Sequence, residues 1–241
     1  MQTISSPLTT QVPQAAGAAY AYKLAEEDRI VCVYFGDGAA SEGDFHAGMN
    51  FAATLKAPCL FFCRNNGYAI STPVTDQYAG DGILPRGVAY GMPSIRIDGN
   101  DLLAVHEATT EARRMALEEQ TPVLIEAMTY RVGHHSTSDD STRYRGSDEI
   151  QDWSKNRNPV TRFRHYLERK GWWDEAQEEA IQAKERADVL TALTTAEQKE
   201  KPSVDDLFQD VYDTPTPNLE RQWSELQEHI AKYPEHYNSA H

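Results

Sequence analysis

Residues 33–43 read VYFGDGAASEG, an apolar run that ends in a carboxylate held between two glycines, Gly36-Asp37-Gly38. Glycine accepts backbone angles that other residues avoid, so a glycine-acid-glycine sequence alone describes an ordinary tight turn. Its surroundings decide between a turn and a site. Residues 30–35 form a wholly apolar run of strand length, and residues 44–55 place Phe45, Met49, Ala52 and Ala53 on one helical side. Residues 59–63 form a second apolar run. Strand, helix and strand with short connections predict a right-handed crossover between parallel neighbours. Further on, residues 94–97 read as a strand, 102–119 as a helix and 123–128 as another apolar strand. Upstream, residues 14–25 are rich in alanine and tyrosine and broken only by Gly17, which reads as a close-packed helix. The alternation predicts an α/β fold, a doubly wound and mostly parallel sheet covered on both faces.

Beyond Tyr130 the pattern stops. Residues 131–146, RVGHHSTSDDSTRYRG, are polar and without apolar period, as in a long loop that carries function or lacks order. From Pro159 the chain reads as helical. Asp174 can cap a helix with Ala176, Ala180, Ala183, Ala187 and Leu190 on one face, and Thr216-Pro217 can open a last helix with Leu219, Trp223, Leu226, Ile230 and Tyr233 on a stripe. The expected organisation is an α/β domain over residues 1–158, including a loop at about 131–147, and a helical extension over residues 159–241. The extension would pack on the core or on a partner subunit.

The chain has 241 residues, 40% of them apolar, enough for a proper core. Thirty-seven acidic against twenty-three basic residues give a formal charge of -14, which repels nucleic acid and anionic membranes. No apolar segment approaches the roughly 20 residues that cross a bilayer. The opening MQTISSPLTT has neither a secretion nor a transit pattern, so the chain as given carries no address. Cys32, Cys59 and Cys63 lie in or beside apolar runs with no histidine near, which predicts buried thiols in a reducing compartment.

Ligands of a doubly wound sheet bind outside the carboxyl ends of its strands. Asp37 follows one such end and Arg64-Asn65-Asn66-Gly67-Tyr68 follows another. If the two strands are neighbours, their ends stand about 5 Å apart. A carboxylate and a side-chain amide are hard oxygen ligands suited to Mg²⁺, which prefers to share them with phosphate oxygens and water. A diphosphate fits such a site. Gly36 and Gly38 let the backbone approach it, residues 39–41 lead towards a helix whose free amides favour an anion, and Arg64 offers a positive fork.

Gly36-Asp37-Gly38 followed, after 26 residues, by Asn65-Asn66 resembles the thiamine diphosphate fingerprint. The segments GAASEGDFHAGMNFAATL, CRNNGYAISTP, SIRIDGNDLLAV, IEAMTYRVGHHSTSDDSTRYR and GWWDEAQE are similar to the alpha subunit of the branched-chain 2-oxo acid dehydrogenase complex, its decarboxylating component. The resemblance extends to about Tyr237. Pyruvate dehydrogenase alpha subunits share the metal motif but have an HGHS-like pattern in place of His134-His135-Ser136, which ranks branched-chain substrates first.

The resemblance implies that Asp37, the Asn66 side chain and the Tyr68 carbonyl hold Mg²⁺. It places Gly38, Ala39 and Arg64 at the diphosphate, and Ser6 and Leu8 near the middle of the cofactor. Ser5, Pro7, Thr10 and Gln11 match a K⁺ site, although on sequence alone an oxygen-rich helix lead-in is the better description of SSPLTTQ. His135 matches a histidine that reaches the cofactor and assists acyl transfer to lipoamide, and Ser136 matches a regulatory phosphorylation site. A second regulatory serine of the family is replaced by Gly146.

The implied partners are a beta subunit, in a heterotetramer of two alpha and two beta chains, a lipoyl-bearing acyltransferase core, and a kinase and phosphatase. The beta subunit supplies the glutamate that activates the cofactor. The implied location is the mitochondrial matrix in a eukaryote and the cytoplasm in a bacterium. Alpha subunits of this kind carry a substantial segment before SSPL, with a tyrosine-arginine pair at the cofactor, where this sequence has residues 1–4. Two other readings stay open, a pyruvate or acetoin dehydrogenase alpha subunit and a non-catalytic form that acts in assembly or kinase binding.

Overall fold

A computed structural model describes residues 5–237, which divide into two compact units between Trp172 and Trp173. The first unit begins with α1 (Gln11–Leu24), β1 (Val31–Gly36), α2 (Gly43–Leu55) and β2 (Cys59–Asn65). A short hairpin of β3 (Tyr68–Ala69) and β4 (Thr72–Pro73) then leads into α3 (Val74–Gln77) and α4 (Leu84–Ala89). β5 (Ser94–Asp98), α5 (Leu102–Glu118) and β6 (Val123–Met128) complete the sheet, and α6 (Ser147–Asn156) and α7 (Pro159–Arg169) follow the polar loop. β1, β2, β6 and β5 lie side by side in that order, all parallel. The alternating sequence pattern therefore folds into the expected α/β sheet.

β2 is buried from Cys59 to Cys63 because helices cover both of its faces. On one face Val12, Ala15, Ala16 and Ala19 of α1 and Phe45, Met49 and Ala52 of α2 join Phe61 and Cys63 in a single apolar cluster. α1 and α2 approach closely at Gly48, where a Cβ would stand 2.7 Å from the Pro13 nitrogen. On the other face Leu60, Phe62, Val123 and Ile125 pack with Ala112 of α5. Asp101 caps α5 by accepting from the amides of Leu103 and Ala104 at 3.0 and 3.2 Å.

Three expectations need correction. β1 is an edge strand covered on one face only, with Tyr34 67% exposed, because α5 lies over β2, β5 and β6. Cys32 shares that open face and is exposed, whereas Cys59 and Cys63 are buried. β6, read as an apolar strand, carries the fully buried Glu126 at its centre.

The two compact units divide after Trp172. α7 belongs to the first unit, where Arg162 pairs with Asp98 at 2.8 Å and Asn100 Nδ2 donates to the Arg157 carbonyl at 2.9 Å. The second unit contains α8 (Glu175–Glu197), α9 (Asp206–Gln209) and α10 (Pro217–Lys232). Asp174 caps α8 as expected, yet the face from Ala176 to Leu190 is exposed. In α10, Leu219, Leu226 and Ile230 are half-buried, as is Tyr233 at its C-terminal cap, while Trp223 remains exposed with Nε1 donating to Asp205 at 2.7 Å. Among the described residues no helix is long and apolar enough to cross a membrane.

Candidate functional site

The register of β1 against β2 pairs Phe35 with Cys63 and Gly36 with Arg64, so the two unusual segments leave the sheet side by side. Asp37, the next residue, is fully buried. Its Oδ1 accepts from the Asn66 amide at 3.1 Å, and its Oδ2 accepts from Gln77 Nε2 at 3.1 Å. Asn66 Oδ1 in turn accepts from the Tyr68 amide at 3.1 Å, and Gly67 makes the intervening turn with φ of +82°, which only glycine adopts without strain. Asp37, Asn66 and Tyr68 thus form one linked turn. Gly38 faces the hairpin, where a Cβ would lie 2.6 Å from Ala69 Cβ. Ala39 and Ala40 are buried in a 3-10 turn that separates the glycine-acid-glycine segment from the first turn of α2.

A buried carboxylate with two neutral donors and no cationic partner among the described residues is costly, and each oxygen still has an unused lone pair. Gln77 adds a second unmet demand. Its amide nitrogen donates to Asp37 and to the Thr72 carbonyl at 3.3 Å, and its buried Oε1 has no partner among the described residues. Such an orphaned acceptor costs about 1–3 kcal/mol. Among the described residues no group of three or more His, Cys, Asp or Glu side chains converges on a metal position. One carboxylate with amide and carbonyl oxygens is the donor chemistry of a small hard cation shared with an anion, so the residues fit Mg²⁺ with a diphosphate.

Alternation along β2 sends Arg64 to the face opposite Asn65. There it lines a cleft of about 370 Å³ with Tyr34, Gly36, Asn66, Tyr130 and Arg131. Arg131 is committed to the Ile70 carbonyl at 2.7 Å and the Tyr144 hydroxyl at 2.8 Å. Arg64 makes no hydrogen bond or ion pair with any described residue, so its guanidinium is free to receive an anion.

The polar loop is ordered by its own side chains and contains one 3-10 turn at Ser141–Arg143. Arg145, only 5% exposed, donates to the carbonyls of Arg131 and Gly133 and lies over the rings of Tyr68, Tyr130 and Tyr144. Asp139 Oδ2 accepts from the His135 amide at 2.8 Å and the Tyr144 hydroxyl at 2.7 Å, bonds that hold its carboxyl below the usual range. The adjacent histidines differ. His134 Nδ1 accepts from the Ser141 amide at 3.1 Å, whereas the exposed His135 ring makes no hydrogen bond with a described residue. Ser136 is exposed, its hydroxyl 3.3 Å from that of Ser138.

At the start of the described chain, Gln11 Nε2 donates to the Ser5 carbonyl and Thr10 Oγ1 to the Pro7 carbonyl, each at 3.1 Å. The structure brings these four residues into one turn. Thr10 stands at the helix entry without capping it through its side chain. Ser6 and Leu8 are exposed, and neither bonds to the segments around Asp37 and Asn66.

Sequence reasoning overlooked the support beneath the site. Glu126 accepts from Asn65 Nδ2 at 2.7 Å, from the amides of Ile83 and Leu84 at 2.9 Å each, and from Arg96 Nε at 3.0 Å. Asn65 is therefore a support and Asn66 the candidate ligand. An acid inside the apolar run VLIEAM was a readable signal, since an unpaired buried carboxylate is not tolerated. Gln77 gave no such signal.

A family described as dehydrogenase E1 component matches residues 1–205. The chain is 60% identical over 238 residues to the mitochondrial 2-oxoisovalerate dehydrogenase subunit alpha of Dictyostelium discoideum, covering 98% of this chain and 54% of that protein. It is similarly 61% identical over 236 residues to the protein of that name from Caenorhabditis elegans, and 59% identical over 239 residues to the one from Homo sapiens. In these two comparisons 98% and 99% of this chain are covered, and 54% of each relative. The chain thus spans about half the length of the curated relatives it matches.

Proposed function

The chain belongs to the dehydrogenase E1 component family, and on that premise we propose that it forms the metal and diphosphate half of a thiamine diphosphate site in a branched-chain 2-oxo acid dehydrogenase alpha subunit. The observation that carries the reading is the juxtaposition of buried Asp37 with Asn66 at the adjacent ends of β1 and β2. Relatives named for 2-oxoisovalerate favour branched-chain 2-oxo acids as substrates and a mitochondrial setting. When bound, thiamine diphosphate supplies the electron sink for oxidative decarboxylation, with acyl transfer to lipoamide.

In this reading Asp37, the Asn66 amide oxygen and the Tyr68 carbonyl hold Mg²⁺, which balances the diphosphate and the buried carboxylate together. Gly38 and Ala39 let the backbone approach the diphosphate, and the unpaired Arg64 neutralises it from the cleft. Ser6 and Leu8 border the cofactor, and Ser5, Pro7, Thr10 and Gln11 bind K⁺ and stiffen that turn. His135, whose ring is uncommitted, assists acyl transfer, and Ser136 beside it accepts regulatory phosphate. That phosphate would add about -1.5 to -2 charges near an anionic cofactor. A beta subunit completes the site with the activating base, and the exposed faces of the second unit offer it a surface. The acyltransferase core, kinase and phosphatase act on the loop side of the assembly.

The test is metal-linked stability. Mg²⁺ with thiamine diphosphate should raise the melting temperature of the chain assembled with its beta subunit, a stabilisation of about 2.7 kcal/mol at one hundred times the dissociation constant. Asp37→Ala should abolish that rise while the metal-free protein still melts cooperatively. An undiminished rise in the variant would remove Asp37 from the site.

A further inference from the structure

Gln77 ends α3 with its amide held in one orientation. Nε2 donates to Asp37 Oδ2 at 3.1 Å and to the Thr72 carbonyl at 3.3 Å, which uses both of its hydrogens. Turning the amide over would point Oε1 at a carboxylate and a carbonyl, neither of which can donate. Oε1 is thereby fixed, buried and without a donor among the described residues. It also faces the glycine-acid-glycine turn, where a Cβ on Gly38 would stand 3.9 Å from it.

We propose that Gln77 is a positioning residue for the cation, its amide nitrogen orienting Asp37 while Oε1 accepts a hydrogen bond from a water bound to the ion. The inference rests on the reading of Asp37 and Asn66 as Mg²⁺ ligands. Mg²⁺ dehydrates reluctantly, and three protein oxygens leave half of an octahedral shell to phosphate oxygens and water. A metal-bound water is a strong donor because the ion polarises it. The orphaned oxygen beside Asp37 supplies the acceptor that such a water needs. One side chain then fixes a ligand with its donor end and the hydration of the ion with its acceptor end.

The test uses the chain assembled with its beta subunit, Mn²⁺ with thiamine diphosphate as the probe, and electron paramagnetic resonance to count free ion. Gln77→Met, of similar length but with neither donor nor acceptor, should weaken Mn²⁺ binding about 10- to 100-fold. Water-proton relaxation should report faster exchange of water from the remaining bound ion. Gln77→Glu, measured at pH 8, keeps the acceptor and adds a charge opposite Asp37. It should melt earlier without metal yet bind Mn²⁺ several-fold more tightly, on the order of the gain from one more nearby charge.

Opposite changes in affinity support the proposal. Unchanged Mn²⁺ affinity in both variants, with equal loss of melting temperature with and without the ion, would reduce Gln77 to a packing residue and overturn it. If Gln77→Met does not assemble, Gln77→Glu decides alone, and unchanged or weaker binding overturns it. Asp37→Ala, run alongside, separates the two levels. Undiminished Mn²⁺ binding in that variant refutes the cation reading itself and this inference with it, whereas loss there beside an unaffected pair of Gln77 variants refutes only the role of Gln77.

Discussion

Gly38 has φ of -62° and ψ of -41°, angles open to any residue, so its need for glycine is steric. A Cβ would meet Ala69 Cβ at 2.6 Å and Ala69 Cα at 3.1 Å, and the second contact is backbone that cannot swing away. Gly38→Ala should therefore push the β3–β4 hairpin off the turn, lowering stability by about 1–3 kcal/mol in thermal denaturation and weakening metal-linked stabilisation with it. Gly17, in the middle of α1 with nothing within 4 Å of a Cβ, makes the contrast. Gly17→Ala should stabilise the chain by about 0.5–1 kcal/mol. Equal effects at the two positions would contradict the close approach. The need for glycine at Gly38 was legible in the sequence, whereas the backbone it avoids lies in another element and was not.

Among the elements, β6 joins the site to the rest of the sheet. Glu126 satisfies Asn65, which adjoins the candidate ligand Asn66, together with two backbone amides and Arg96. Glu126→Ala would strand those donors and leave Arg96 without its buried partner, at a cost of about 3–5 kcal/mol. A urea midpoint shifted down at unchanged slope would register that loss, and an unshifted midpoint would show that water replaces the carboxylate freely. The polar loop has a different sensitivity. Asp139 is held below the ordinary aspartate value of 3.8 by the His135 amide and the Tyr144 hydroxyl. Its contribution to loop order is fully present above that value and is lost as pH falls through the depressed one. Hydrogen exchange at the His135 amide should accelerate relative to neighbouring loop amides on acidification below about pH 4, and constant relative protection would detach Asp139 from loop order.

For the whole molecule, the open face of β1 divides the thiols into two classes. Burial pushes Cys59 up and Cys63 well up, so both remain protonated and shielded in the folded chain. Cys32 is exposed on the edge strand, raised by partial desolvation with a hydrogen bond from Tyr34 pulling the other way. A bulky thiol reagent should label Cys32 alone in the native chain, and faster as pH rises above the usual thiol value of about 8.5. All three should react in denaturant. Native labelling of Cys59 or Cys63 at a matching rate would mean that the sheet is not closed over β2.

The α/β alternation, the four sheet strands and the position of Asp37 and Asn66 just beyond two strand ends were written along the chain, because strand period and spacing are local properties; that the two strands are neighbours was not. The length of the polar loop and the Asp174 cap of α8 were legible in the same way, since they depend on residues a few positions apart. Tertiary structure alone decided which face of β1 stays open, since covering it requires a helix from elsewhere. It likewise decided that Glu126 receives four donors, of which Arg96 alone is charged, that His134 is committed while the His135 ring has no partner among the described residues, and that Gln77 reaches Asp37 from forty positions away. A buried polar group is stable only through partners brought from distant elements, and no local pattern records which partners those will be.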